Sequence, residues 1–534
     1  MNRRIFVVLT VLAGVVLGAL VISTDVDAER ASALHRWLIQ SGFDLALISG
    51  QLALLTVVFA VPCGVLFAAC LTRTDMWGRG VATWFLVSLI FLPLYLQAAA
   101  WNAGFGRMGW YSLSTGPLVE PLLSGFEAAV WVHTMAAIPW VALIVGVGLR
   151  LTERNLEEQA LLQWPQWRVF GFVTLPRVIP AVIVAALWAA LSTTGEMVVT
   201  DIFQVRAYAE VLYSGFALLP DAGLVTARVL PGIVLVAMLS LGAFALAFLF
   251  AAQAPTQSLR APLQFQLGRW KWPVTGGVWL GLLVIGGVPL GNLIYKAGVV
   301  ATMHEGARIR HWSLEKFIEI MAATPGRFGE AFGWTLVIGV SAATLATVLA
   351  LPLAWFARKR SWAAAPACLI AALLLAIPGP LVGLTVEWVL NRNQPAFLGW
   401  LYDTPFAPVL AVTCRVLPVA ILILWFALRT VHRQTLEAAA MDGAGRLRTF
   451  FVVVIPQRWR SLTIAWVITF ALAAGDLSWT SLVLPADVMT VPFQVFALIH
   501  SGVRYDEAAI CLYVLLAVFT ASAVVRSLAR RWDA

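Results

Sequence analysis

The chain has 534 residues, 61% of them hydrophobic and 12% charged, with a mean hydropathy of +0.87 and a formal net charge of +9. A soluble domain cannot hide that much apolar surface, so the composition excludes a soluble enzyme or binding module and implies a polytopic membrane protein.

Taken in order, about twelve apolar runs are long enough to cross a hydrocarbon core as helices. They fall near 5–23, 45–70, 81–103, 126–149, 177–200, 227–253, 273–295, 331–356, 363–389, 406–428, 461–485 and 507–526. The first is preceded by Arg3-Arg4 and followed by Val26-Asp27-Ala28, a pattern shared with cleavable signal peptides. Its length favours a retained helix, which also makes the helix count even. With the N-terminus inside, the inside segments carry about 23 of the 36 basic residues. The positive charge therefore reads as a topology signal, not a nucleic-acid patch, and both termini are expected inside. Cys63, Cys70, Cys368, Cys414 and Cys511 lie in or beside the runs without metal-ligand spacing, so neither a disulfide framework nor a metal site is expected.

The most patterned stretch between runs is 436–456. Glu437 opens a helix-forming run, Ala438-Ala439-Ala440. Asp442-Gly443 signals a turn, a short second helix follows, and Ile455-Pro456 leads into the next run. The spacing predicts a helix–turn–helix with a small-residue face, which lets another protein approach the backbone closely.

Glu437-Ala438-Ala439, Asp442-Gly443-Ala444 and Ile455-Pro456 resemble the EAA motif of the membrane subunits of ATP-binding-cassette importers. The resemblance implies a coupling helix docked in a groove of a cytoplasmic ATPase. It implies two such ATPase subunits and an extracytoplasmic substrate-binding protein as partners, a bacterial cytoplasmic membrane as the location, and alternating access as the mechanism. Among such importers, fused permeases of this length look most like the ferric-iron type, with the thiamine and phosphonate types close.

The sequence repeats itself. A shift of 280 places Glu157 on Glu437, Arg168 on Arg448, Leu175-Pro176 on Ile455-Pro456 and Gly195-Glu196 on Gly475-Asp476. Slightly upstream the shift is 279, which pairs Pro139 with Pro418, Arg150 with Arg429 and Arg154 with Arg433. Two parallel six-helix repeats are therefore expected, 1–265 and 266–534, joined by a linker at 255–272. At the shift of 280 the first loop is worn: Glu158-Gln159 replace Ala438-Ala439, Gln163 replaces Gly443, and Pro165 supplies the punctuation. The second loop is accordingly expected to dominate coupling, with Glu157, Gln163 and Pro176 as the first loop's contribution.

Glu196 and Asp476 each follow a glycine near the end of an apolar run. Acids in the membrane face a cavity or a partner, so this pair either lines the translocation path or caps and pairs structurally. A path lined by both would attract a cationic cargo. His304, Arg308, Arg310, His311, Glu315 and Lys316 lie in the outer segment 297–330 and read as a solvated surface for the binding protein. None of the four lysines precedes Ser or Thr, so the phosphate-binding GxxxxGK[ST] loop is absent and ATP hydrolysis falls to a separate subunit. No cofactor is expected. An ion-coupled secondary transporter would also account for parallel halves, but not for the coupling motif.

Overall fold

The computed structural model describes residues 28–107, 109–115, 120–218, 230–243, 246, 263–304, 307–358, 361–377, 379–390, 396–502 and 505–533. The expected first run, 5–23, and the part of the linker at 255–262 lie outside them.

The main helices are α1 (Ala28–Arg73), α2 (Arg79–Ile90), α3 (Leu94–Phe105), α4 (Gly125–Arg150), α5 (Arg154–Leu161), α6 (Leu175–Thr194), α7 (Val198–Ile202) and α8 (Tyr208–Leu218). A span α9 (Gly268–Gly298) leads into an antiparallel hairpin of β1 (Val299–His304) and β2 (Ala307–Trp312), in register from Val299 opposite Trp312 to His304 opposite Ala307. Then come α10 (Leu314–Ala357), α11 (Ser361–Ala376), α12 (Gly379–Leu390), α13 (Phe406–Arg429), α14 (Arg433–Met441), α15 (Ile455–Ala474), α16 (Val491–Ser501) and α17 (Asp506–Asp533).

Seven helices among the described residues are long and apolar enough to cross a membrane, or eight if the bent pair of α2 and the helix after it is one span. The protein is thus an all-α polytopic membrane protein, apart from one hairpin among the described residues. Several apolar runs are divided where the chemistry demands it. Run 81–103 breaks before Pro93, which caps α3, because proline lacks an N–H and restricts the residue before it, and run 363–389 is divided between Ala376 and Gly379. Runs 177–200 and 461–485 end early, at Thr194 and Ala474, where a glycine is followed by an acid. Conversely α10 starts at Leu314, well before the apolar run at 331, because 314–330 is rich in helix formers.

The chain forms two compact bodies. One comprises Met1–Gln51, Arg206–Leu259 and Val337–Pro485; the other comprises Leu52–Val205, Arg260–Leu336 and Ala486–Ala534. Each takes segments from both sides of residue 265, so compact packing does not follow the sequence halves. In the first body, small residues bring helices together: Ala350, Ala354 and Ala357 of α10 are buried with Ala420 and Leu424 of α13 and Ala465 of α15. In the second, a Cβ at Gly64 would stand 2.5 Å from the Val141 side chain, so α1 and α4 pack at a distance only glycine permits. Asn292 of α9 donates to the Ala100 carbonyl at 3.2 Å and accepts from Trp110 Nε1 at 3.1 Å. Lys296, near the end of α9, donates to both carboxylate oxygens of buried Glu507 in α17 at 2.9 Å.

Candidate functional site

The two patterned loops, at 154–176 and 433–456, one in each body, are built alike. In both, an arginine opens a short helix and donates through Nε to a glutamate one turn on at 2.6 Å: Arg154 to Glu158 in α5, and Arg433 to Glu437 in α14. Both helices end in an outward apolar side chain, Leu162 at 87% exposure and Met441 at 88%. After each turn the chain resumes helically at Gln166 or Arg446 and passes through a π-helical turn, Phe170–Thr174 or Thr449–Val454. It then enters a 20-residue helix with proline in its first turn, Pro176 or Pro456.

This geometry corrects the register of the loops. The shift of 279 continues through the whole first helix and becomes 280 only in the turn, which is one residue shorter in the first loop. Glu158 is therefore the counterpart of Glu437, Gln159 of Ala438 and Ala160 of Ala439. The first loop carries Glu-Gln-Ala where the second has Glu-Ala-Ala. The replaced position is tolerant, since Ala438 is exposed, whereas Ala439 is buried and its counterpart Ala160 half-buried. Gln163 aligns with Asp442, and Gly443 is the residue without a partner. Gly443 has φ +72°, the left-handed region that suits glycine. Its N–H donates to the Ala440 carbonyl and that of Ala444 to the Ala439 carbonyl. The first loop turns without a positive φ, with Pro165 preceding the second helix.

Glu157 then aligns with Leu436, and the two seats differ in kind. Leu436 packs against the apolar cluster of α10, α11 and α13. Glu157 is 1% exposed and paired with Arg73 at 2.9 Å, while Thr174 donates to its other oxygen at 2.7 Å. The exposed loop positions, Gln163, Glu437, Ala438, Asp442, Gly443, Pro176 and Pro456, face outward from their bodies. Sequence reasoning missed Leu162, Met441 and Arg73. An apolar residue closing a charged helix is a usable signal for the first two; nothing local marks Arg73.

Residues 297–533, a little under half of the chain, match the family model described as binding-protein-dependent transport system inner membrane component. The chain is therefore a multi-pass inner membrane permease component of a binding-protein-dependent importer, not itself an ATPase, and the family implies an ATPase and a binding protein beside it. Among similar proteins is the putrescine transport system permease PotI of Escherichia coli, 29% identical over 194 residues, covering 35% of this chain and 68% of the relative. The molybdenum transport system permease ModB of Escherichia coli is 26% identical over 170 residues, 29% of this chain and 69% of the relative. The alpha-glucoside permease AglF of Rhizobium meliloti is 35% identical over 74 residues, 12% of this chain and 22% of the relative.

The permease's two membrane acids both cap the chain after a helix break. Glu196 accepts from the Val198 and Val199 amides, each at 2.9 Å. Asp476 accepts from the Trp479 amide at 3.0 Å. Asp476 is buried and also paired at 2.5 Å with Arg415 of α13, whose side chain is 32% exposed. Beyond the first acid, Asp201 pairs with His500 at 2.9 Å. The Asp201 hydrogen bond, offset in part by burial, raises the His500 pKa above its ordinary value. No cluster of three or more metal-ligating side chains occurs among the described residues, and Cys63, Cys70, Cys414 and Cys511 are free thiols.

Proposed function

We propose that this permease is a fused pair of six-helix modules, 1–265 and 266–534, with about twelve spanning helices in a parallel repeat and both termini inside. Each module offers one inside loop to one of two ATPase subunits. In the first loop Glu157 seats the helix, while Glu158, Gln163 and Pro176 shape it. In the second, Glu437, Ala438, Ala439, Asp442, Gly443 and Pro456 do the same work. The observation that carries this reading is the twin geometry: the same Arg–Glu pair, the same exposed apolar tip and the same π-helical exit in both loops. An exposed apolar side chain at the end of a charged helix suits a protein groove.

Cargo reaches the chain through the binding protein. The fused architecture suggests ferric iron, with thiamine and phosphonate beside it; the relatives named above carry the names of a polyamine, of molybdenum and of an alpha-glucoside. The backbone bonds of Glu196 and the Arg415 pair of Asp476 favour the structural reading of these acids over a bare cation-attracting pair in the path.

The test is co-expression with the ATPase and purification in mild detergent. Wild-type chain is expected to hold two ATPase subunits, and Leu162→Glu and Met441→Glu each to lower that ratio without loss of permease yield. Full ATPase retention in the double variant would overturn the assignment of both loops.

A further inference from the structure

We propose that Arg73 is the positioning residue of the first inside loop, clasping α5 to the inner ends of two spans and to the segment that joins the sequence halves. The inference rests on the reading that the inside loops carry the ATPase's motion, and it assigns the two loops different mechanical roles.

Arg73 is the last residue of α1 and has no exposed surface. Its guanidinium donates to Glu157 of α5 at 2.9 Å, to the Leu149 carbonyl at the end of α4 at 2.5 Å, to the Thr152 hydroxyl, and to the Leu263 carbonyl at 3.2 Å. Its own carbonyl accepts from the Phe265 amide at 2.6 Å. The joining segment is tied at further points. The Gln266 amide donates to Gln166 Oε1 at 3.0 Å, the Leu267 amide donates to Asp75 at 2.9 Å, and the Phe265 ring meets Phe170 edge-on at 5.8 Å. All of these groups lie in one compact body.

The physics makes this a clasp. Separating α5 from α1 would leave a carboxylate and a guanidinium unpaired in a buried place, which is among the costlier changes a protein can make. The acceptors around Arg73 come from two separate stretches of chain, 149–157 and the joining segment at Leu263, so neither moves without breaking a directional bond. The second loop lacks such a device at the same register position, because Leu436 contacts its cluster through non-directional apolar packing, which tolerates sliding. Its Arg433–Glu437 pair is exposed and constrains little. The first loop is therefore the rigid lever, moving with α1, α4 and the joining segment as one piece, and the second is the compliant one.

The experiment uses the full chain, alone in detergent and in complex with its ATPase. Arg73→Gln and Glu157→Gln are compared with Glu158→Gln by hydrogen exchange and by cargo transported per ATP hydrolysed. Both clasp variants are expected to speed exchange at 154–161 and 263–267 by at least about tenfold while leaving 433–441 unchanged. Transport per ATP should fall by about threefold or more relative to the wild-type chain, with partial recovery in Arg73→Lys. If Arg73→Gln does not accumulate, Gln266→Pro, which removes one amide donor of the joining segment, is read the same way. Unchanged exchange at 154–161, or an equal rise at 433–441, would overturn the clasp. Faster exchange confined to 154–161 with normal transport per ATP would overturn the positioning role. Failure of the wild-type chain to bind the ATPase would count against the proposed function, while the exchange data would still judge the clasp.

Discussion

At the scale of single residues, burial separates side chains that look equivalent in sequence. Glu157 and Glu158 are neighbours, yet the first is locked beneath its helix and the second is in solvent. Only the turn of α5 distinguishes them, and a one-residue difference in a loop further on decides which is the partner of Glu437. Glu158→Ala and Glu437→Ala should therefore cost alike, about 0.5 kcal/mol or less, since each removes an exposed pair one turn long; equal melting temperatures within error would check this. Gly443→Val forces a β-branched residue into positive φ and should cost about 1–2 kcal/mol locally. The expected readout is normal insertion with weakened ATPase retention. The two membrane acids should differ. Asp476→Ala leaves Arg415 without its buried partner and should destabilise on the order of 3 kcal/mol, whereas Glu196→Ala loses a cap worth about 1 kcal/mol. Thermal unfolding in detergent ranks them. The His500–Asp201 pair carries a pH signature, because a raised histidine pKa means that the folded state holds the proton more tightly. Its stabilisation is complete below the ordinary value of about 6.5 and disappears as pH rises through the raised one. The wild-type chain should thus lose stability across that window relative to His500→Gln, measured as melting temperature against pH.

At the scale of elements, the same local plan appears twice with different fastenings. A π-helical turn precedes α6 and α15 alike, and each helix then takes its proline in the first turn, where no N–H is missed. The extra residue of the second turn is accommodated by left-handed Gly443, and the shorter first turn by Pro165. If turn length alone separates the loops, replacing Gln163-Trp164-Pro165 by the sequence Asp-Gly-Ala-Gly should give a well-folded chain. Yield and melting temperature are the measurements, and collapse of both would mean that the first loop depends on its own turn. The breaks at Pro93 and after Gly195 and Gly475 show why run lengths overstate helices. Hydropathy reports burial in lipid or protein, but not whether the backbone can continue its ladder.

At the scale of the whole molecule, buried ion pairs tie distant parts of the chain. Lys296 and Glu507 are 211 positions apart and join the end of α9 to the start of α17. Lys296→Met alone should sharply lower yield, because Glu507 would be left charged and unpaired; adding Glu507→Leu should recover most of it, since a matched apolar pair removes both desolvation costs. Recovery of monodisperse protein on size exclusion is the check. Composition by itself determined the class, because no other environment takes in so much apolar surface, and the spacing of Glu437, Gly443 and Pro456 determined the family resemblance. The local helices of both loops were legible too, since propensity, glycine and proline act over a few residues. Tertiary structure alone decided that Arg73 meets Glu157, that Arg415 meets Asp476 and that the compact bodies cut across the sequence halves. Those outcomes depend on which distant groups share a buried place, and burial makes an unpaired charge intolerable wherever in the sequence its partner lies.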